Sequence, residues 1–576
     1  MAVILGVIGG FVAPALTHLI GFVTNLSFYG RISASFLSPA GNRLGLFVVI
    51  VPALGGIIVG LMARFGSKAI RGHGIPEAME QVLEHDSRIP ARIMFLKPVS
   101  AAISIGTGGP FGAEGPIIAT GGAIGSVLGQ LLSTTAAERK TLLAAGAAAG
   151  MAAIFGSPVS AVLLAIELLL FEFRARSFVP VALAAATAAG IRLQLDGAAP
   201  IFPMPPFAPV TLPALAIYAL IGIIVGILAV GVTRAVYWIE DLFERLPIHW
   251  MWWPALGGIA VGLVGYFAPR TLGVGYDNIS QIISNQLPLR LIAFLTLMKF
   301  ISWAISLGSG TSGGTLAPLL TIGGGAGSLL GGFILWLTPL NALDLRMAAL
   351  VGMAAMFAGA SRALLTSVVF AFETTLQPSG LLPVMLGSTL AFLTARLLMR
   401  HSIMTEKIAR RGLRIPQDYD PDAFLHATVG EVMDENVKTL SADGKLSRLA
   451  DSIARHDPAI SAYQAWPLLD STGRLSGILT RADLLAALQK PGSDGMTLLE
   501  AGSSSLVTAF ADEIIHDAVA RMLSHGVERL LVVSRADPTR LVGYMSHTNL
   551  LRIRQKKHRQ ENVREDGWFR AATRPG

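Results

Sequence analysis

A single ionisable side chain, Glu114, stands in the apolar run SIGTGGPFGAEGPIIATGGAIGSVLG, residues 104–129. The run contains no lysine or arginine that could pair with this carboxyl group. An ionisable group in an apolar membrane segment is costly to bury and usually belongs to an ion or proton pathway. The alternative is a structural carboxylate paired with a buried base from elsewhere in the chain. The sequence favours the functional interpretation of Glu114.

Glu114 lies in one of three short motifs in which a glycine closely precedes a proline: GHGIPE from Gly72, GAEGP from Gly112 and GTLAP from Gly314. Proline is accommodated in the first turn of a helix, so each motif predicts a helix start. The first N–H groups of a helix have no partner within the helix and carry the positive end of its dipole. In apolar surroundings such a terminus must line a cavity or bind something, and an anion satisfies it. The three motifs therefore predict an anion site.

The second and third motifs belong to an internal repeat. Residues 104–129 shifted by 202 positions meet SLGSGTSGGTLAPLLTIGGGAGSLLG, and the same offset aligns GMAAIF at Gly150 with GMAAMF at Gly352. Two related halves with interrupted helices are typical of secondary transporters, which hold their substrate between the halves. We expect inverted repeats spanning about 1–200 and 210–414. Glycines spaced four apart within them also allow close helix packing.

The composition is that of a membrane protein. Of the 576 residues, 52% are hydrophobic and only 14% are charged. Long apolar stretches recur as far as about residue 400, so most of this part should span a membrane, and we expect the first span to be retained. The absence of cysteine excludes disulfides and thiolate metal sites, and no metal site is expected. The net charge of +8 comes from bases scattered at segment ends, which indicates loop anchors and no nucleic-acid partner.

Two enzyme-like patterns overlap the second repeat. GSGTSG, residues 308–313, fits the dinucleotide pattern GxGxxG, and GTSGG around Ser312 fits the nucleophile pattern GxSxG. A dinucleotide site requires a preceding strand, whereas LMKFISWAISL predicts a helix. A serine hydrolase requires a histidine base, for which His73 is the candidate. An intramembrane serine hydrolase is thus the distant alternative from another functional class.

In its three glycine–proline motifs and its internal repeat, the chain resembles the CLC family of chloride channels and proton-coupled chloride transporters. The family signatures GSGIP, G(K/R)EGP and GxFxP correspond, in order, to GHGIP, GAEGP and GTLAP here. The resemblance implies a homodimeric, multi-pass protein of the plasma or inner membrane that carries chloride or a similar inorganic anion, with no required cofactor and no enzymatic activity. It also implies that Glu114 is the external gate, which plugs the pathway when ionised and leaves when protonated. The residues implied to bind the anion are Gly72 and His73 at the inner site, and Gly115, Thr315, Leu316 and Ala317 at the central and outer sites.

The chain departs from the family pattern at the centre of the pore. The central serine is replaced by His73, whose imidazole can donate to an anion or instead hydrogen-bond the backbone at a helix cap. The pore tyrosine falls at Met404, which has no hydroxyl, and Ala113 replaces the basic residue before the gate. Met404 remains a candidate lining residue of the anion site.

The inner proton-relay glutamate of the family's antiporters falls at Leu168, which cannot titrate. Glu167 is adjacent and is therefore the candidate relay, whereas Glu373 in the second half is expected to be structural. The resemblance thus favours channel-like or weakly proton-coupled anion passage, with proton–chloride antiport as the alternative.

The composition changes after the membrane domain, 1–414. A polar linker, 415–425, precedes two α/β modules, 426–490 and 497–556, that resemble the paired cystathionine-β-synthase (CBS) domains behind many CLC proteins. The resemblance implies that the pair is cytoplasmic and that Thr480 and Asp483 contact the ribose of an adenine nucleotide. A helix cap is the alternative role for these two residues. Ser546 and Asn549 keep half of the same pattern. The charged tail, 557–576, is expected to be disordered or to bind lipid headgroups.

Overall fold

The computed structural model describes residues 1–207, 209–337, 343–413, 427–565 and 568. The chain divides into two compact units, which are Met1–Tyr419 with Arg564–Gly576, and Asp420–Val563. The predicted linker 415–425 lies outside the described residues, as do residues 569–576 of the predicted tail. Each unit is described by itself.

The described part of the first unit contains eight α-helices in each half. Those of the first half are α1 (Ala2–Thr24), α2 (Ile50–Leu61), α3 (Ile75–Glu84), α4 (Ile93–Gly106), α5 (Glu114–Leu131), α6 (Ala136–Phe155), α7 (Pro158–Ala165) and α8 (Ala175–Asp196). Those of the second half are α9 (Leu212–Glu244), α10 (Trp253–Phe267), α11 (Tyr276–Ile283), α12 (Leu289–Gly308), α13 (Leu316–Leu337), α14 (Leu345–Ser361), α15 (Leu364–Thr375) and α16 (Leu381–Leu398). The short α17 (Glu406–Arg410) follows.

The helices have the lengths and surfaces of a polytopic membrane protein. Among the described residues, eight helical segments are long and apolar enough to cross a bilayer. Large apolar side chains such as Leu46, Phe267 and Leu397 are exposed on the outside, where lipid would cover them. The shorter helix α3 begins at buried residues, Ile75 and Pro76. The predicted all-helical membrane domain of two repeats is confirmed.

Reciprocal contacts relate the two halves by a pseudo-two-fold axis. A Cβ added to Gly56 would lie 2.2 Å from the carbonyl oxygen of Pro254, and one added to Gly258 would lie 2.4 Å from that of Pro52. Both pairs are related by the 202-residue offset of the sequence repeat. The backbones of α2 and α10 can touch at these two points because glycine has no side chain.

Within each half, glycines let the two central helices pack backbone against backbone. A Cβ on Gly121 of α5 would lie 2.1 Å from the carbonyl oxygen of Gly146 on α6. The equivalent Cβ on Gly323 of α13 would lie 2.5 Å from that of Gly352 on α14. This contact explains the glycines spaced four apart in the repeat.

The second unit contains two modules of the same topology. The first has β1 (Leu440–Ser441), α18 (Leu446–Ala454), α19 (Pro458–Ser461), β2 (Ala465–Leu469), β3 (Leu475–Thr480) and α20 (Arg481–Leu488). The second has α21 (Leu498–Ala501), β4 (Thr508–Phe510), α22 (Ile515–His525), β5 (Arg529–Val533), β6 (Leu541–Ser546) and α23 (His547–Asn562). In each sheet the first two strands are parallel and the last two are antiparallel.

The two modules exchange short segments. Val429 and Val432, which precede the first sheet, are buried in the core of the second module. Leu498, which precedes the second sheet, is buried in the core of the first module. The predicted boundary near residue 490 therefore separates two sequence repeats whose hydrophobic cores are interleaved.

Glu565 of the charged tail belongs to the first unit and is bound within it. Glu565 accepts a hydrogen bond of 2.9 Å from Nη1 of the buried Arg139 and also pairs with Arg88. Its own N–H donates to the carbonyl oxygen of Thr134 at 3.1 Å. This part of the tail is therefore attached to the loop between α5 and α6.

Candidate functional site

Three loops meet at the centre of the first unit, each just before the start of a helix. The N–H of Gly72 donates to the carbonyl oxygen of Thr311 at 2.9 Å, next to a bridge between Gly72 and Ser312. Gly112 and Gly314 exchange two backbone hydrogen bonds, of 3.3 and 3.0 Å. The loops that precede α3, α5 and α13 are thus joined by their backbones, and each of the three sequence motifs lies at the start of a helix.

Glycine is required where the loops cross. Gly72 and Gly74 have φ values of +90° and +93°, and Gly74 is the N-cap of α3. A Cβ on Gly115 would lie 2.0 Å from the carbonyl oxygen of His73. The first turns of α3 and α5 therefore approach each other more closely than side chains would allow.

The carboxyl group of Glu114 is fully buried at this crossing. Its Oε1 accepts a hydrogen bond of 3.0 Å from the hydroxyl of Tyr276. Its Oε2 lies 2.9 Å from where a Cβ of Gly314 would stand, in front of the start of α13. No ion pair joins Glu114 to a base within the described ranges, so the paired-base alternative finds no support. The carboxylate occupies the place that the helix starts offer to an anion.

Three buried polar atoms around this crossing have no hydrogen-bond partner among the described residues. They are Oε2 of Glu114, Nδ1 of His73 and Oγ1 of Thr315. Buried polar groups are nearly always satisfied, so a cluster of unsatisfied ones indicates a place for a ligand. A histidine nitrogen and a threonine hydroxyl can both donate, as an anion requires. Thr315 immediately precedes Leu316 and Ala317, the first two residues of α13, whose N–H groups have no partner within that helix.

Two buried lysines lie at equivalent positions of the two halves. Lys97 of α4 donates to the carbonyl oxygens of Ile70 and Gly72, both at 2.8 Å. Lys299 of α12 donates to those of Thr271 and Gly273, at 3.1 and 2.9 Å. Each ammonium group fixes the loop before a broken helix and adds positive charge near the crossing.

The segment that contains Met404 is attached to the loop before α3. Lys407 forms an ion pair of 2.9 Å with Glu77, whose other oxygen accepts a hydrogen bond of 2.7 Å from the N–H of Gly74. The imidazole of His73 faces the backbone of Ile403, and Met404 is fully buried. The histidine and the methionine are thus held in neighbouring segments beside the crossing.

Glu167 and Glu373 cap each other's helices. Glu167 accepts hydrogen bonds from the N–H groups of Leu365 and Thr366, at 2.9 and 3.0 Å, at the start of α15. Glu373 accepts from those of Val159 and Ser160, at 3.0 and 2.8 Å, at the start of α7. Both carboxylates therefore have a capping role. Leu168, beside Glu167, is buried and apolar.

Ser312, the candidate hydrolase nucleophile, has a serine as its neighbour. Its Oγ accepts a hydrogen bond of 3.1 Å from Ser100. Within the described ranges no hydrogen bond joins His73 to Ser312, so the pair required for a serine hydrolase is not formed. The GSGTSG run follows helix α12, whereas a dinucleotide site would require a strand there.

Thr480 and Asp483 line a cavity of about 470 Å³ in the second unit. Thr480 Oγ1 accepts from the N–H of Asp483 at 3.1 Å and thereby caps α20, and Asp483 Oδ2 accepts in return from the N–H of Thr480 at 2.9 Å. The capping alternative is therefore observed. Arg481 and Arg529 line the same cavity, as do apolar residues such as Val527. Its size and mixed lining suit a small organic anion.

The corresponding cavity near the second module is acidic. It measures about 380 Å³ and is lined by Asp434, Glu435 and Tyr544 among others. Burial raises the pKa of Tyr544, so its phenol remains neutral. Asn549 donates to Asp434 Oδ2 at 3.1 Å, which an aspartate could not do. An anionic ligand is disfavoured in this second cavity.

Sequence reasoning missed Tyr276 and the two lysines. Tyr276 follows GVG, which matches the GHG of GHGIP at an offset of 201, so the repeat could have revealed a fourth helix start. Lys97 and Lys299 differ by the 202-residue offset itself. In both cases the internal repeat of the sequence could have identified these residues.

Comparisons with known proteins identify two families that match the chain. Residues 54–396 match the family model described as voltage gated chloride channel, and residues 429–490 and 500–556 match the CBS domain model. The chain is 28% identical over 380 residues to a putative chloride channel protein ClcB-like of Ralstonia nicotianae, covering 65% of this chain and 89% of that relative. It is 27% identical over 434 residues to the H(+)/Cl(-) exchange transporter ClcA of Vibrio vulnificus, covering 72% and 91%. A solved structure of a eukaryotic CLC transporter matches 95% of this chain and 97% of its own, with 21% identity and a TM-score of 0.62.

Proposed function

Because the chain belongs to the voltage gated chloride channel family, we propose that it carries chloride or a similar inorganic anion across a membrane, gated by Glu114. The observation that carries the proposal is the buried carboxylate of Glu114 in front of the start of α13. An ionised carboxylate in that position is itself an anion and blocks the path. Protonation removes its charge and its attraction to the helix start, so the side chain leaves and an anion enters.

The anion is bound by groups that carry partial or full positive charge. The inner site uses the backbone at Gly72 and His73, and the imidazole Nδ1 supplies a further donor. The central and outer sites use the backbone of Gly115, Leu316 and Ala317 and the backbone and hydroxyl of Thr315. Met404 lines the inner side without offering a donor. Lys97 and Lys299 contribute long-range attraction from their buried positions.

Anion passage in this proposal is channel-like or weakly coupled to protons. Coupled exchange requires a titratable group that connects the inner face with Glu114. Leu168 cannot titrate, and Glu167 is engaged as the cap of α15. Glu167 as a proton relay remains a prediction.

Proton–chloride antiport is the second candidate function. Relatives such as the H(+)/Cl(-) exchange transporter ClcA of Vibrio vulnificus favour it. His73, at the centre of the path, is the group in this chain that would take a proton in such a mechanism.

The proposal extends to the rest of the molecule. The protein acts as a homodimer and has no enzymatic activity, and its CBS pair lies in the cytoplasm. The cavity lined by Thr480 and Asp483 binds an adenine nucleotide, whose phosphates would pair with Arg481 or Arg529. The support for the nucleotide is the arginine-lined cavity together with the CBS domain match.

Chloride efflux from proteoliposomes tests the proposed function. Vesicles loaded with chloride and containing the purified full chain should release it when an ionophore for the counter-ion is added. The pH should be varied from about 4 to about 8, because a buried carboxyl group titrates within this range. Release no faster than from protein-free vesicles at every pH in the range would contradict the function.

A further inference from the structure

The hydroxyl of Tyr276 is the one side-chain donor that contacts the carboxylate of Glu114 within the described residues, at 3.0 Å from Oε1. Tyr276 comes from the second half of the molecule, and Glu114 from the first. Tyr276 is the first residue of α11, the second-half counterpart of α3. The gate of one half is therefore held by a side chain of the other.

The position of Tyr276 is fixed independently of the gate. The preceding residue, Gly275, caps α11 in the left-handed conformation with φ +77°. Lys299 holds the loop just before it through the carbonyl oxygens of Thr271 and Gly273. The tyrosine ring packs edge-on against Phe155 and Phe202, with ring centroids 5.9 and 6.1 Å away. The hydroxyl thus stays at the same place when the carboxylate leaves.

A hydroxyl in this place can serve two anions in turn. A phenol is neutral at physiological pH and donates its proton in a hydrogen bond to an acceptor. While Glu114 is ionised and docked, that acceptor is its Oε1. Once the carboxylate has left, the same O–H points at the vacated space, where an entering anion needs a donor. The loss of a hydroxyl at Met404 makes this donor more important to the pathway.

We propose that Tyr276 is a positioning residue of the gate, which stabilises the docked Glu114 and then binds the anion that replaces it. The inference rests on the proposed function. Among the described residues, the charged group that acts on the carboxylate is Lys299 of α12, whose ammonium group is bound to the carbonyl oxygens of the loop before α11. Beside the Tyr276 ring, α6 contributes the apolar Phe155.

Replacing the hydroxyl by hydrogen in Tyr276→Phe tests the first half of the proposal. Loss of a hydrogen bond to a charged group destabilises the docked, ionised gate, so the gate opens at higher pH. We expect chloride efflux at alkaline pH to rise about tenfold and the pH profile to move up by about one unit. The matched control is Tyr218→Phe. Among the described residues the Tyr218 hydroxyl hydrogen-bonds the backbone of Asp344, far from the gate in sequence, and the profile of this variant should stay that of the parent. Efflux of Tyr276→Phe equal to or below that of the parent at every pH would overturn the proposal.

The second half is tested where the gate is absent. Chloride binding by calorimetry to Glu114→Gln should be several-fold tighter than to Glu114→Gln with Tyr276→Phe, since the anion loses one donor. Equal affinities would show that Tyr276 does not bind the anion. A parent protein that releases no chloride would refute the proposed function itself. A parent that releases chloride but shows no effect of Tyr276→Phe would refute this inference alone.

Discussion

Gly112 and Gly314 exchange two backbone hydrogen bonds, although they are 202 residues apart in the chain. They are equivalent positions of the two repeats, so the pseudo-two-fold axis passes between them. Helices α5 and α13 start on either side of this axis, and the carboxylate of Glu114 lies against both glycines. Leu316 of the second half is at the position equivalent to Glu114. The two repeats therefore supply one gating carboxylate between them.

A methyl group on Gly112 should displace the gate. In Gly112→Ala the new Cβ would stand 1.7 Å from Oε2 of Glu114, and the carboxylate is the flexible partner. We expect chloride efflux at alkaline pH to rise toward the level of Glu114→Gln. The control is Gly190→Ala on α8, where the space around the added Cβ is open to 4 Å. An unchanged efflux in both variants would show that the carboxylate does not block the path.

Removal of the imidazole at position 73 should weaken anion binding. Nδ1 of His73 is buried and has no protein partner in the described residues. When this nitrogen carries the proton, an anion would satisfy it. We expect His73→Ala to lower chloride affinity about tenfold in calorimetry, as for the loss of a hydrogen bond to a charged group. His18→Ala, at an exposed imidazole near the backbone of Ala34, is the control. An affinity equal to that of the parent would assign His73 a structural role.

Glu167 and Glu373 should behave as a matched pair of structural caps. Each accepts two backbone hydrogen bonds at the start of the other's helix. We expect Glu167→Gln and Glu373→Gln to lower thermal stability alike, each by about 0.5–2 kcal/mol, the usual cost of a lost cap. The pH response of chloride efflux should stay that of the parent in both. If Glu167→Gln alone abolished proton movement, with stability unchanged, Glu167 would be the proton relay.

The cavity beside Thr480 should bind adenine nucleotide. We expect the purified full chain to bind ATP in calorimetry, and Arg529→Gln to weaken binding about tenfold through loss of a charged partner of the phosphates. Arg552→Gln is the control, because Arg552 contacts Asp434 beside the acidic cavity. An absence of heat at millimolar ATP would leave the pair without a nucleotide and with a role in assembly.

The sequence revealed those parts of the site whose signal is local. Glycine and proline spacing marked three helix starts, and the lone carboxyl group of Glu114 stood out against its apolar neighbours. The hydrogen bond between Tyr276 and Glu114 joins residues 162 positions apart, and no local pattern around either residue predicts this pairing. The capping of α15 by Glu167 is similarly distant, because it depends on how α7 and α15 pack. The exchange of segments between the CBS modules is also a property of packing, which a repeat of the sequence does not disclose.

The most direct test of the account is chloride efflux through Glu114→Gln as a function of pH. In the parent, efflux should fall as pH rises, because the ionised carboxylate returns to its place in front of α13. Glutamine keeps the shape of the protonated gate and cannot ionise, so efflux through the variant should be independent of pH and at least as fast as the parent's fastest. Identical efflux from parent and variant at every pH would contradict a gating role for Glu114.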